Sequence, residues 1–110
     1  METASVQQAA AASLRCETVI DVRTASEYSS GHLPHSLFMP LAVVPLRIDE
    51  LSRRVPVYVV CESGARAAQA CQYLQQHGYR PINVLGGMSA YRAAGLPLRT
   101  SSAQTVGAQW

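Results

Sequence analysis

The chain is short of charge and of aromatic rings: Asp, Glu, Lys and Arg together make up 15% of its 110 residues, and Phe, Trp and Tyr 6%. With 48% hydrophobic residues this is the composition of a compact globular protein with a rather uncharged surface. The formal net charge is only +2, without the clustered basic residues of a nucleic-acid binder, so neither DNA nor RNA is implied as a partner. No apolar run approaches membrane-spanning length, and the opening residues lack the basic segment and apolar core of a signal peptide. Three cysteines, Cys16, Cys61 and Cys71, are an odd number without metal-ligand spacing, which argues against a disulfide framework and a zinc site. A reducing compartment, the cytoplasm, is expected, with no membrane, metal or cofactor. The length suits one domain that buries roughly two thirds of its unfolded surface; residues 1–99 are expected to form it and 100–110, polar and without periodicity, a disordered tail.

What is present centres on residues 57–66, Val-Tyr-Val-Val-Cys-Glu-Ser-Gly-Ala-Arg. A β-favouring apolar run ends at Cys61, small and polar residues follow, and an alanine-rich helical pattern begins. This predicts strand, tight loop and helix, with the N–H groups of Glu62, Ser63, Gly64, Ala65 and Arg66 converging on the Cys61 sulfur and the helix adding its positive end. A thiol in ordinary surroundings is only ~3% thiolate at pH 7. One exposed helix end contributes only ~0.3–1 kcal/mol, so several loop donors and Arg66 are needed to favour the anion. The plain alternative is a buried core cysteine at a strand end. Gly64 within the loop and an arginine in the first helical turn favour a nucleophile.

In chain order, residues 6–14 read as a helix with polar flanks and no evident cap, and 18–22 as a strand whose continuous apolar run suits a parallel sheet covered on both faces. Asp21 and Arg23 then lie at the carboxyl end of that strand, where ligands gather in open α/β sheets; a structural ion pair is the plainer reading of the two. Thr24 and Glu27 have capping-box spacing and open a short helix. His32, between Gly31 and Leu33-Pro34, reads as a turn residue rather than a base, as do His35 and His77 elsewhere. Residues 36–39 predict a short strand, and 41–54 a helix starting at or after Pro45 and ended by Arg53 and Arg54. After the strand at 56–60, the next helix places Ala67, Ala70, Cys71 and Leu74 on one face and stops at Gly78. A strand at 82–85, a sharp Gly86-Gly87 turn and a helix over 88–94 complete an α/β pattern with a mainly parallel sheet.

Taken together, Ile20-Asp21-Val22-Arg23, Glu27-Tyr28, Gly31-His32-Leu33-Pro34, the loop from Cys61 to Arg66, Gly86-Gly87-Met88-Ser89-Ala90-Tyr91 and Ala94-Gly95-Leu96-Pro97 resemble the single-domain rhodanese-like sulfurtransferases, in register from about Thr18 to Leu98. The resemblance implies an α/β fold of three layers, a mostly parallel five-stranded sheet with helices on both faces. The segment before Thr18 is short for such a fold, so its first edge strand is expected to be missing or replaced by the alanine-rich stretch. The resemblance also implies a mechanism in which the Cys61 thiolate takes the outer sulfur of a donor such as thiosulfate or a persulfide. A thiophilic acceptor, cyanide or a thiol, then removes it, with a protein as a further potential donor or acceptor. Cys61 and Arg66 would be catalytic, and Glu62, Ser63, Gly64, Ala65 and Arg23 substrate-binding. Glu62 brings a negative charge that opposes both a thiolate and a dianionic donor. Related Cdc25-like phosphatases and arsenate reductases carry five residues between cysteine and arginine; the four here form a smaller cradle that suits a single sulfur. Binding or regulatory modules with this pattern usually lack the loop cysteine.

Overall fold

The computed structural model describes residues 1–100, so the reading of 100–110 as a disordered tail falls, apart from Thr100, outside the described residues. Five short strands form one sheet: β1 (Glu2–Ala4), β2 (Val19–Asp21), β3 (Leu37–Phe38), β4 (Pro56–Val60) and β5 (Arg80–Val84), in the order β1-β5-β4-β2-β3. Every pairing is parallel, with Asp21 opposite Val60 and Phe38, and Tyr58 opposite Ile82. Four α-helices lie in the connections, α1 (Val6–Leu14), α2 (Ala25–Ser29), α3 (Val44–Arg47) and α4 (Ala65–Gln76), and a fifth, α5 (Gly87–Ala93), follows β5.

The pleat sends successive side chains of β4 to opposite faces. Val57 and Val59 pack with Ala67, Ala70, Cys71 and Leu74 of α4 and with Val44 of α3. On the other face Val60 joins Ala9 and Ala10 of α1 and Met88 and Tyr91 of α5. Both faces are therefore covered, which is why the strands read as unbroken apolar runs. Helix α4 stops where its sequence suggests: Gly78 takes φ +84°, its N–H donates to Gln75 O at 3.2 Å, and Tyr79 N–H donates to Leu74 O at 3.0 Å. Those two bonds satisfy carbonyls the last turn leaves open.

Three readings need correction. The first edge strand is present: β1 precedes the alanine-rich helix and pairs Glu2 to Ala4 with Ile82 to Val84. Only Ala4 of its three residues is buried, so pairing rests on backbone ladder bonds that leave no apolar pattern to read. Helix α1 is capped: the Ser5 hydroxyl accepts from Gln8 N–H at 3.1 Å and Gln8 Oε1 from Ser5 N–H at 2.8 Å. The 41–54 segment is not one helix but two 3₁₀ turns, Leu41–Val43 and Ile48–Glu50, flanking the single turn of α3. Pro45 has no N–H to extend a helix, and Arg47 bonds Phe38 O at 2.8 Å as well as Glu50. Arg53 lies over the Tyr79 ring, 4.3 Å from its centroid, and donates to His77 O at 2.8 Å instead of closing a helix.

Candidate active site

Strand β4 delivers Cys61 to the carboxyl edge of the sheet, and the loop from Glu62 to Gly64 turns directly into α4. Gly64 stands at the helix N-cap with φ +116° and ψ −20°, a backbone that side chains with a Cβ rarely adopt. A glycine offers no side chain to cap the helix, and the cysteine sulfur takes that part. Cys61 Sγ accepts from Gly64 N–H at 3.0 Å and from Ala67 N–H, the position an ordinary cap would bond, at 3.3 Å. Sequence reasoning placed the donors on Glu62 to Arg66; of these Gly64 meets the sulfur, and the second donor lies one residue beyond. The helix's positive end thus faces sulfur, and Cys61 is only 1% exposed.

The Gly86-Gly87 turn holds this loop from behind. Met88 N–H donates to Cys61 O at 2.8 Å and Ser89 N–H to Glu62 O at 3.0 Å. Since a trans peptide points its C=O and N–H in opposite directions, these bonds turn the Glu62 and Ser63 N–H groups away from α5. Gly87, at φ +55°, lies against both carbonyls, and a Cβ there would come 2.6 Å from Glu62 O.

Charges around the loop are matched. Arg66 makes a two-pronged ion pair with Glu27, Nη1 to Oε1 at 2.8 Å and Nη2 to Oε2 at 3.0 Å. Glu27 simultaneously closes the capping box of α2, accepting from Thr24 N–H at 2.9 Å. Hydrogen bonding from Arg66, and then from the Thr24 backbone, lowers the Glu27 carboxyl to about pKa 2. The same pairing raises the Arg66 pKa. Arg23 is fully buried against Asp21, donating from Nε at 3.0 Å and from Nη2 at 2.9 Å, with a further bond to Gly31 O at 2.7 Å. Burial opposes its charge, but the hydrogen bonds and charge of Asp21 outweigh it and raise the pKa. Through Nη1, Arg23 reaches Glu62 Oε1 at 3.4 Å, and Arg92 of α5 holds the same carboxylate. The Glu62 charge is thus shared between two arginines rather than facing the sulfur unopposed.

The seven residues singled out from the sequence fall together. Cys61, Glu62, Ser63, Gly64, Ala65 and Arg66 are consecutive in the loop and first turn, and Arg23 joins them through Glu62. Ser63 is exposed. Three contributors were not among the expected site residues: Glu27 and Gly87, which entered the family resemblance but were given the local roles of a cap and a turn, and Arg92, which carried no signal. His32 stays apart, buried, stacked on Tyr28 and donating from Nδ1 to Tyr28 O at 2.7 Å. Cys71 is core, its thiol pushed up to about pKa 12 by burial and then by the nearby Cys61 charge. Among the described residues no group of three or more His, Cys, Asp or Glu is placed to hold a metal, and no helix is long and apolar enough to cross a membrane.

The chain and its fold have counterparts among known proteins. The model of the rhodanese-like domain matches residues 5–94. A sulfurtransferase of Allochromatium vinosum is 41% identical over 81 residues, 73% of this chain and 76% of that protein. A putative sulfurtransferase of Bacillus subtilis is 30% identical over 72% of this chain and 77% of its own length. Among solved structures, the rhodanese-related protein of Thermoplasma volcanium superposes with a TM-score of 0.83 at 25% identity, covering 90% of this chain and 98% of that one. The chain belongs to the family of rhodanese-like domains and is, at the level of that family, a sulfurtransferase.

Proposed function

We propose that Cys61 is the nucleophile of a two-step sulfur transfer. Its thiolate attacks the outer sulfur of a sulfane donor, thiosulfate or a persulfide; the donor's S–S bond breaks and its remainder leaves as sulfite or a thiolate. The enzyme keeps a Cys61 persulfide, whose terminal sulfur then passes to cyanide, a thiol or a protein cysteine, regenerating the thiolate. No oxidant or reductant enters, so no cofactor is needed.

The observation that carries this reading is the sulfur serving as the cap of α4, with the Gly64 and Ala67 amides on it. The first-turn N–H groups of Ala65 and Arg66 have no partner inside the helix. They are the donors for the added outer sulfur, which carries the negative charge once the donor has left. Arg66, tied to Glu27, and Arg23, tied to Glu62, act as positioning residues for the loop. The test is sulfur transfer to cyanide by single cysteine variants: Cys61→Ser abolishes it and Cys16→Ser and Cys71→Ser retain it. Sulfur transfer by Cys61→Ser at the parent rate would overturn the reading.

A further inference from the structure

The chain contains no lysine, so its nine basic residues are all arginines. Three of them surround the cysteine loop, and each is held by a carboxylate: Arg66 by Glu27, Arg23 by Asp21 and Glu62, and Arg92 by Glu62. Three arginines meet three carboxylates. Among the described residues, a dianion reaching Cys61 therefore finds amide dipoles and a helix end but no uncompensated cation. Where Arg66 leaves the loop lies a small pocket of about 190 Å³, walled by Val22, Pro40, Leu41 and Ala42, with Arg23, Thr24 and Arg66 completing it. Its surface is apolar for the most part, so it offers an organic group a place that it does not offer an inorganic anion.

We propose that Glu27 sets the choice of sulfur donor: by holding Arg66 it leaves the site without a free cation, so that the donor is a singly charged or neutral organic sulfane, a thiosulfonate or an organic persulfide, in preference to thiosulfate. This rests on the sulfur-transfer reading above and narrows it. The chemistry is the same for each donor. The Cys61 thiolate bonds to the outer sulfur and the S–S bond of the donor breaks with its electron pair. Thiosulfate releases sulfite, a thiosulfonate releases a sulfinate and a persulfide releases a thiolate. What differs is charge beside the loop and the presence of a group that fills the pocket. Glu27 acts through Arg66, so it is a positioning residue, and its signature is a change in the ratio of donors rather than in rate alone.

The experiment compares thiosulfate with benzenethiosulfonate, which carries one charge fewer and an aromatic ring, by following the rate at which each adds one sulfur to the intact protein. The parent protein is expected to load at least about tenfold faster from benzenethiosulfonate. In Glu27→Gln, which releases the Arg66 charge, the thiosulfate to benzenethiosulfonate rate ratio is expected to rise about tenfold. That rise should shrink between ~0.05 and ~0.5 M salt, since it comes from a partly exposed charge. A parent protein that prefers thiosulfate overturns the inference, and this arm stands even where Glu27→Gln fails to fold. An unchanged ratio in a folded Glu27→Gln that loads from both donors also overturns it, while leaving sulfur transfer intact. Failure of both donors, and of an organic persulfide run beside them, to load Cys61 overturns the sulfur-transfer reading and this inference with it.

Discussion

Gly87 and Cys61 approach so closely across the carboxyl edge of the sheet that no side chain fits between them. A Cβ on Gly87 would overlap the carbonyl oxygen of Cys61 and lie 2.8 Å from the carbonyl carbon of Glu62. These are backbone atoms, pinned by Met88 and Ser89 N–H groups, so they cannot swing aside as a flexible side chain would. Gly87→Ala is expected to cost about 2–4 kcal/mol, combining left-handed strain with overpacking. Gly95 also has a positive φ, +69°, but nothing within 4 Å of its would-be Cβ. Gly95→Ala should therefore cost only about 1 kcal/mol. Denaturant midpoints of the two variants decide the matter; equal losses would show that conformation alone, and not the contact with the cysteine loop, matters at Gly87.

Asp21 and Arg23 form a buried ion pair with side chains 0% and 1% exposed. Removing one partner strands the other charge in the core, so Asp21→Ala is expected to destabilise the fold by about 3–5 kcal/mol. Urea unfolding measures this, and a loss below about 1 kcal/mol would mean that the Gly31 carbonyl and Glu62 suffice to hold Arg23.

The Glu27 carboxyl has a pKa of about 2 in the folded protein, below its unfolded value of about 4.3. A depressed carboxylate contributes stability that is fully present above the unfolded value and lost as pH falls toward the folded one. Melting temperature should therefore drop between about pH 5 and pH 2 more steeply in the parent than in Glu27→Gln, which has no proton to gain there. Parallel profiles would show that the pair with Arg66 does not contribute.

Cys16 is exposed, whereas Cys71 is fully buried with its thiol pushed up to about pKa 12. In native protein at neutral pH a maleimide should modify Cys16 rapidly and leave Cys71 untouched until denaturant is added. Peptide mapping after a timed pulse reads this out, and early labelling of Cys71 would mean that α4 opens locally from the sheet.

The local parts of the site were legible in the sequence because each is written in consecutive residues. The apolar run into Cys61, the glycine at the turn and the alanine-rich helix are one strand, loop and helix, and the structure places them so. Thr24 and Glu27 declared their capping box for the same reason. What the sequence hid is what the parallel sheet brings together. Glu27 and Arg66 stand 39 residues apart, and Glu62 and Arg92 stand 30 apart; only the folded order of strands makes them neighbours. Glu62 therefore read as a repelling charge when two arginines in fact share it. Strand β1 was missed because an edge strand with one buried residue has hardly any apolar pattern to display.

The most direct measurement is the intact mass of the protein after incubation with a sulfane donor, taken before and after treatment with cyanide. The account predicts a gain of one sulfur that cyanide removes and that Cys61→Ser prevents. No gain from thiosulfate, an organic thiosulfonate or an organic persulfide, or a gain that persists in Cys61→Ser, would contradict it.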